Sequence, residues 1–204
     1  IETGVQQQLK ICVDILGRLM RLFSGMFEEV EFLGVEGNHR PKVGTVSFDR
    51  IVYDFLGTLC SQMSNVTFNI ADGEHLVFRH FNRYYLLLHG HGISMYQQTP
   101  YYWIVNAIRK LWEVFGLKGT ATFLGHFHTA AMLPGICMNG SWFSGNEFSL
   151  GKIRAMGRAQ QRIYGLHPTR GITWSYPIHL SPEPHIETAQ EGVITPVLTM
   201  KGGT

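Results

Sequence analysis

Apolar residues recur along the chain with two different spacings, and the spacing separates helices from strands. From residue 5 to residue 27 they fall every three or four positions, which predicts an amphipathic helix. Residues 48–63 and 101–115 also read as helices, and the second stops before Gly116, a typical C-cap. Short apolar runs bounded by turn residues predict strands at 30–35, 66–70, 75–81, 83–89, 121–124, 136–139 and 172–180. A further helix is predicted at residues 154–163.

Strands that alternate with helices indicate an α/β fold, and two short turns near residues 71–73 and 82–83 indicate antiparallel hairpins in its middle. The length suits one domain with a substantial core, which we place at residues 1–182. Residues 183–204 are rich in Pro, Thr and Gly, and we expect a flexible tail there.

Composition narrows the cellular setting. The three cysteines are widely spaced and form no CxxC pair, which favours a reducing compartment over a disulfide framework. No apolar run reaches the ~18 residues that a membrane helix needs, so the expectation is a cytoplasmic protein without a membrane partner.

The net charge of +2 is small, but its distribution is uneven because residues 148–182 contain no Asp or Glu. Within this stretch Arg154, Arg158 and Arg162 are spaced four residues apart. A helix would place the three guanidinium groups on one face, where they would suit the phosphates of a nucleic acid. The alternative interpretation is a solvated basic loop.

Candidate chemistry follows three of the predicted strands. Asn38 and His39 come after the first strand, His89 and His91 after the fourth, and Gly125-His126-Phe127-His128 after the fifth. Ligands of open α/β sheets gather beyond the C-terminal ends of strands, so we expect these loops to converge. Imidazole and amide oxygen suit Zn, Mn, Fe or Ni better than Ca or Mg.

Each motif alone has an ordinary interpretation. A single histidine after a strand is usually a hydrogen-bonded loop residue, and Gly-Asn-His alone predicts a turn. The placement of all three motifs after apolar strands is much harder to attribute to chance, so the combination favours a metal site.

In this order the motifs resemble those of calcineurin-like metallophosphoesterases. That family carries DxH, GDxxD, GNH, a His before Gly, and GHxH, and residues 28–142 contain the last three. The Gly-Asn-His-Arg and Leu-Leu-Leu-His-Gly runs are similar to the phage and prophage branch. The resemblance implies a layered sandwich of mixed β-sheets flanked by helices.

The resemblance also implies roles for individual residues. Asn38, His89 and His126 would bind the second metal, His128 would bind the first, and His39 would assist the leaving group. The complete family site holds two divalent transition metals and uses metal-activated water to cleave a phosphoester.

Two neighbouring residues are candidates for substrate binding. His91 stands where that branch often has Asp. Arg40 replaces the acidic residue that usually follows GNH, and an arginine there could bind substrate phosphate or simply be exposed.

DxH and GDxxD are absent, and the chain opens with the helix that ordinarily follows GDxxD. The resemblance therefore implies that the first strands and most ligands of the first metal are missing. Without bridging carboxylates two cations would repel each other, so the binuclear site should be weakened. Uncovered strands would favour a homo-oligomer or a partner fragment that supplies the N-terminal strands.

Two functions from different classes follow. The first is a metal-dependent phosphoesterase, either a phosphodiesterase or a nuclease, acting on a phosphoester substrate. The alternative is a catalytically impaired fragment or interaction protein that retains the fold and binds nucleic acid or another partner.

Overall fold

The predicted alternation of helices and strands is present in a computed structural model, which describes residues 4–38, 46–93, 100–142 and 159–180. The helices are α1 (Val5–Met26), α2 (Phe48–Cys60) and α3 (Pro100–Phe115). The strands are β1 (Val30–Gly34), β2 (Val66–Ile70), β3 (His75–His80), β4 (Arg83–Leu88), β5 (Gly119–Leu124), β6 (Ala131–Leu133), β7 (Ile136–Met138), β8 (Gln160–His167) and β9 (Gly171–His179).

Helices α1 and α2 pack against the small sheet formed by β1 and β2, which run parallel. Gly17 of α1 lets the helices approach closely, because a Cβ there would lie 2.4 Å from Leu59 Cδ2. Met20, Leu56 and Cys60 are buried between these layers and form one of two apolar clusters. Removing this apolar surface from water holds the helices on the sheet.

The larger sheet has five strands in the order β3-β4-β5-β7-β6. Its central strands β4, β5 and β7 run parallel, while β3 and β6 pair antiparallel at its edges. Helix α3 packs on this sheet through Ile104 and Ile108, which are buried against Leu86, Leu124 and Met138. The expected mixed α/β arrangement, with helices flanking mixed sheets, is confirmed. The hairpin predicted at residues 82–83 joins β3 and β4, but the one predicted at residues 71–73 is wrong, because β2 pairs in parallel with β1 and belongs to the other sheet.

Strands β8 and β9 form a separate antiparallel hairpin, and here one prediction is wrong. The helix predicted at residues 154–163 is a strand from Gln160 onward, while positions 154–158 lie outside the described residues. Cross-strand pairing explains the difference, because Ile163 pairs with Tyr176 and Tyr164 with Ser175. Aromatic and β-branched side chains are favoured in such pairs.

The sequence pattern also missed β6, whose three residues pair with β7. A run this short contains too few positions to show an alternation. The predicted tail at residues 183–204 lies outside the described residues, so its flexibility stays a prediction.

Candidate metal centre

Three loops meet at one place, each beyond the last residue of a strand. Asn38 follows β1, His89 follows β4 directly, and His126 follows β5. The Gly125 N–H donates to the His89 carbonyl oxygen at 3.2 Å, which ties the second loop to the third. The Gly37 N–H donates to Asp49 Oδ2 at 2.9 Å, which fixes the first loop to α2. The predicted convergence of the three loops is therefore present in the structure.

The backbone turns sharply where the histidines project. His126 and His128 have φ angles of 66° and 57°, and Gly90, between His89 and His91, has a φ of 109°. Non-glycine residues rarely adopt the left-handed region, and such strain concentrates at functional sites. The turns at these positions orient the side chains at the expense of local backbone stability.

The donor atoms of three side chains lie close together. Asn38 Oδ1 is 3.0 Å from His89 Nε2, and His126 Nδ1 is 3.2 Å from the same His89 nitrogen. Asn38 Oδ1 and an unprotonated nitrogen of each imidazole carry lone pairs. A single cation among these atoms would accept all three.

The spacing of these atoms also fits a shared metal ion. Adjacent ligands about 2.0–2.2 Å from one divalent ion stand roughly 3 Å apart, close to the two observed separations. Two imidazoles and an amide oxygen suit a divalent transition metal. Among the described residues, no three His, Cys, Asp or Glu side chains form a metal-binding group, so the amide of Asn38 is an essential third donor in this assignment.

A carboxylate that sequence reasoning missed lies beside the centre. Glu74 Oε1 is 2.8 Å from His91 Nε2, and the His91 ring lies 5.4 Å from His89 and 6.2 Å from His126. His91 Nδ1 is buried without a hydrogen-bond partner. The register of the β3–β4 hairpin would have predicted this neighbour. His75 pairs with Leu88, so the preceding residue, Glu74, lies at the end of β4.

The remaining candidates are distributed differently. The rings of His89, His91 and His126 lie beside one another. His128 is half-buried and lies two residues beyond His126. His39, Arg40, Arg154 and Arg158 lie outside the described residues, so their roles stay predictions. Arg162 lies in β8 and cannot belong to the predicted helical face.

A cavity of about 890 Å³ lies beside the centre. Its lining includes His89, Gly125 and Asp49, together with Arg162 and Tyr164 of β8. Burial raises the pKa of Tyr164 to about 12 and that of the adjacent Cys137 thiol to about 11. Both groups therefore stay protonated at neutral pH, and the Tyr164 hydroxyl remains a hydrogen-bond donor.

Comparisons with known proteins give distant likenesses. No protein-family model matches the chain, and no curated protein matches it. A single-substitution variant of Vps29 from Entamoeba histolytica is 12% identical, with a TM-score of 0.42 over 79% of this chain and 89% of that chain. Wild-type Vps29 from the same organism, complexed with Zn²⁺, is 9% identical, with a TM-score of 0.39 over 74% of this chain and 99% of that chain.

A conserved uncharacterized protein from Streptococcus pneumoniae, described as a predicted phosphoesterase, is 13% identical to the chain. Its TM-score is 0.38, and the likeness covers 82% of this chain and 90% of that chain. Because these likenesses are so distant, any assignment of function rests on the geometry of the site.

In the described part of the chain, no helix combines the length and the apolar character that crossing a membrane requires.

Proposed function

We propose that the chain is a metal-dependent phosphoesterase of the calcineurin-like metallophosphoesterase kind, close to its phage and prophage branch. One observation carries the proposal: beyond the ends of three strands, His89 Nε2 lies 3.0 Å from Asn38 Oδ1 and 3.2 Å from His126 Nδ1. The motifs that supply these atoms occur in the family's order, which supports the same assignment.

The three side chains would hold one divalent transition metal through neutral donors. Such an ion polarises a phosphoryl oxygen and lowers the pKa of a bound water. The protein's own contribution is orientation. The hydrogen bond from the Gly125 N–H holds the loop of His89 in place. The left-handed φ of His126 turns the loop of Gly125 and His126 toward His89.

Phosphodiester substrates, including nucleic acids, are the proposed substrate class. The resemblance of Gly37-Asn38-His39 to the GNH motif of the family makes His39 the proposed residue that assists departure of the leaving oxygen. In a complete family site His128 would bind the first metal, whereas the three donors above would hold the single ion proposed for this chain.

A second candidate is a catalytically silent protein that keeps the fold. The observation that favours it is that two carboxylates near the site already have partners. Asp49 accepts the Gly37 N–H, and Glu74 contacts His91. Neutral donors alone compensate little of the charge of two close cations.

Hydrolysis of bis-p-nitrophenyl phosphate with added Mn²⁺ separates the two candidates. We expect turnover by the wild-type chain and a loss of more than about 100-fold in His126→Ala, which removes a direct ligand. His179→Ala, at an exposed position at the end of β9, is the matched control and should keep full activity.

If His126→Ala hydrolyses the ester as fast as wild type, the activity does not come from this site. If folded wild-type protein shows no Mn²⁺-dependent turnover, the catalytically silent candidate replaces the enzyme.

A further inference from the structure

Arg162 occupies an unusual position for an arginine. Its side chain lines the cavity that also reaches His89 and Asp49, and its Nε is buried without a hydrogen-bond partner. The contact found for its guanidinium joins Nη1 to Ser175 Oγ at 3.3 Å. Guanidinium groups stay charged in proteins and present five N–H donors, and the N–H on Nη1 is the one for which a described residue of the protein provides an acceptor.

No described residue supplies a counter-charge for Arg162, which is half-buried and whose Nε is fully buried. Two acidic residues of the cavity wall have other contacts: Asp49 accepts the Gly37 N–H, and Glu31 lies 3.3 Å from Asn69 Nδ2. No carboxylate within the described ranges forms an ion pair with Arg162. Partial burial removes some of the hydration of this charge, and an anion in the cavity would offset that cost.

Tyr164 adds a second donor on the same wall. It is two residues from Arg162 in β8, so both side chains point to the same face of the hairpin, and both line the cavity. Its buried hydroxyl faces the Cys137 sulfur, a weak hydrogen-bond acceptor that a phosphate oxygen would replace with a stronger one. A guanidinium and a hydroxyl that converge on one cavity match the oxygens of a phosphoryl group.

We propose that Arg162 and Tyr164 form a phosphate-binding subsite that receives a phosphoryl group of the substrate. The identification of the ligand as substrate rests on the proposed phosphoesterase function, whereas the binding of phosphate does not. The sequence predicted Arg162 as one of three arginines on a helical face. The proposal instead makes it a single binding residue on the wall of the cavity that His89 also lines.

Binding of inorganic phosphate to the full-length, metal-free chain tests the subsite without any contribution from a metal. The chain is titrated with phosphate in the presence of a chelator. Isothermal calorimetry or ³¹P line broadening monitors the titration and gives the dissociation constant. We expect binding by wild type, and a weakening of about 10-fold or more in Arg162→Gln, because a charge-assisted hydrogen bond is lost. Tyr164→Phe should weaken binding by a smaller factor.

Arg170→Gln is the matched control, because Arg170 is an exposed arginine on the turn of the same hairpin. It should bind phosphate like wild type. Circular dichroism and the thermal midpoint establish that each variant is folded. If Arg162→Gln does not fold, Arg162→Met also removes the charge and keeps an unbranched side chain. Equal affinities in wild type, the folded Arg162 variant and Arg170→Gln would overturn the subsite, as would the absence of phosphate binding by wild type. Since no metal is present, either result leaves the proposed metal site to its own test.

Discussion

At the scale of single residues, His89 connects the parts of the site. Its Nε2 contacts Asn38 and His126, its backbone oxygen accepts the Gly125 N–H, and its ring packs beside His91. A histidine whose ring nitrogen, backbone and ring face all contact the same small region has little rotational freedom. This restriction pre-organises the donor atom toward a ligand, which reduces the entropy lost on binding.

The neighbouring pair of Glu74 and His91 gives a prediction about a single proton. Because the carboxylate oxygen lies 2.8 Å from Nε2, neutral His91 should carry its hydrogen on Nε2 and keep a lone pair on the buried Nδ1. Long-range ¹H–¹⁵N NMR spectra distinguish the two tautomers. We expect the Nε2–H form in wild type and a mixture in Glu74→Ala.

His167 provides the internal comparison, because its Nδ1 accepts the Thr169 N–H at 3.2 Å far from Glu74 in sequence. Its spectrum should be the same in both proteins. An Nδ1–H tautomer of His91 in wild type would contradict the orientation assigned to this pair.

The donors of the candidate centre were predictable from the sequence because each one lies within four residues of the end of an apolar strand, in a recognisable motif. Glu74 was missed for a physical reason. Its position depends on which residue of β3 pairs with which residue of β4, and hairpin register is not visible in a single residue's surroundings. Arg162 was misplaced for a related reason, since spacings of four residues indicate a helical face only where a helix forms.

At the scale of elements, the turn between β4 and its following loop depends on Gly90. A Cβ at this residue would lie 3.3 Å from Phe127 Cε2 and 3.5 Å from His126 Cβ, in a backbone conformation with φ of 109°. Gly90→Ala should therefore lower the free energy of unfolding by about 1–3 kcal/mol. Urea denaturation measures the change.

Gly57→Ala is the same chemical change in the interior of α2, where nothing lies within 4 Å of the added methyl group. It should raise the free energy of unfolding by about 0.5–1 kcal/mol, because alanine loses less backbone entropy in a helix. The account of the turn is wrong if both variants shift stability in the same direction.

The elements themselves were largely predictable from hydrophobic periodicity. α1, α2 and β2 lie where the spacing of apolar residues places them, with ends within a few residues. The β8–β9 hairpin was only half predicted, since β9 was expected and β8 was taken for a helix. The pairing of Gly165 with Trp174 across the hairpin is a tertiary feature that no local window contains.

At the scale of the whole molecule, the pH dependence of stability has a defined direction. Burial raises the pKa of Cys137 from 9.0 to about 11, and it raises the pKa of Tyr164 from 10.0 to about 12. Both folded-state values exceed the unfolded ones, so the folded state keeps its protons longer. This stabilisation is fully present below pH 9 and is lost as the pH rises through the folded values.

The free energy of unfolding should therefore fall between about pH 9 and pH 12. Tyr164→Phe should flatten the upper part of this decline, because phenylalanine has no proton to lose. Urea denaturation at stepped pH measures the slope, and Tyr102→Phe, at a tyrosine of α3 that is 63% exposed, is the matched control. An unchanged slope in Tyr164→Phe would show that this hydroxyl does not titrate as assigned.

Large apolar side chains remain exposed on the helical layer, among them Phe55, which is 61% exposed, and Leu59. Exposed apolar surface of this kind is compatible with the predicted homo-oligomer or partner fragment, which stays a prediction. The mixed sheets and flanking helices were foreseeable from the alternation of elements. The position of Arg162 on the cavity wall was not, because it depends on how the separate hairpin sits against the large sheet.

The most direct test of the metal centre is calorimetric titration of the full-length chain with Mn²⁺ or Co²⁺. We predict one divalent ion per chain at a site that loses more than about 100-fold in affinity in His89→Ala and is unchanged in His179→Ala. Equal affinity in wild type and His89→Ala, or no binding by folded wild-type protein, would contradict the assignment of Asn38, His89 and His126 as a metal site.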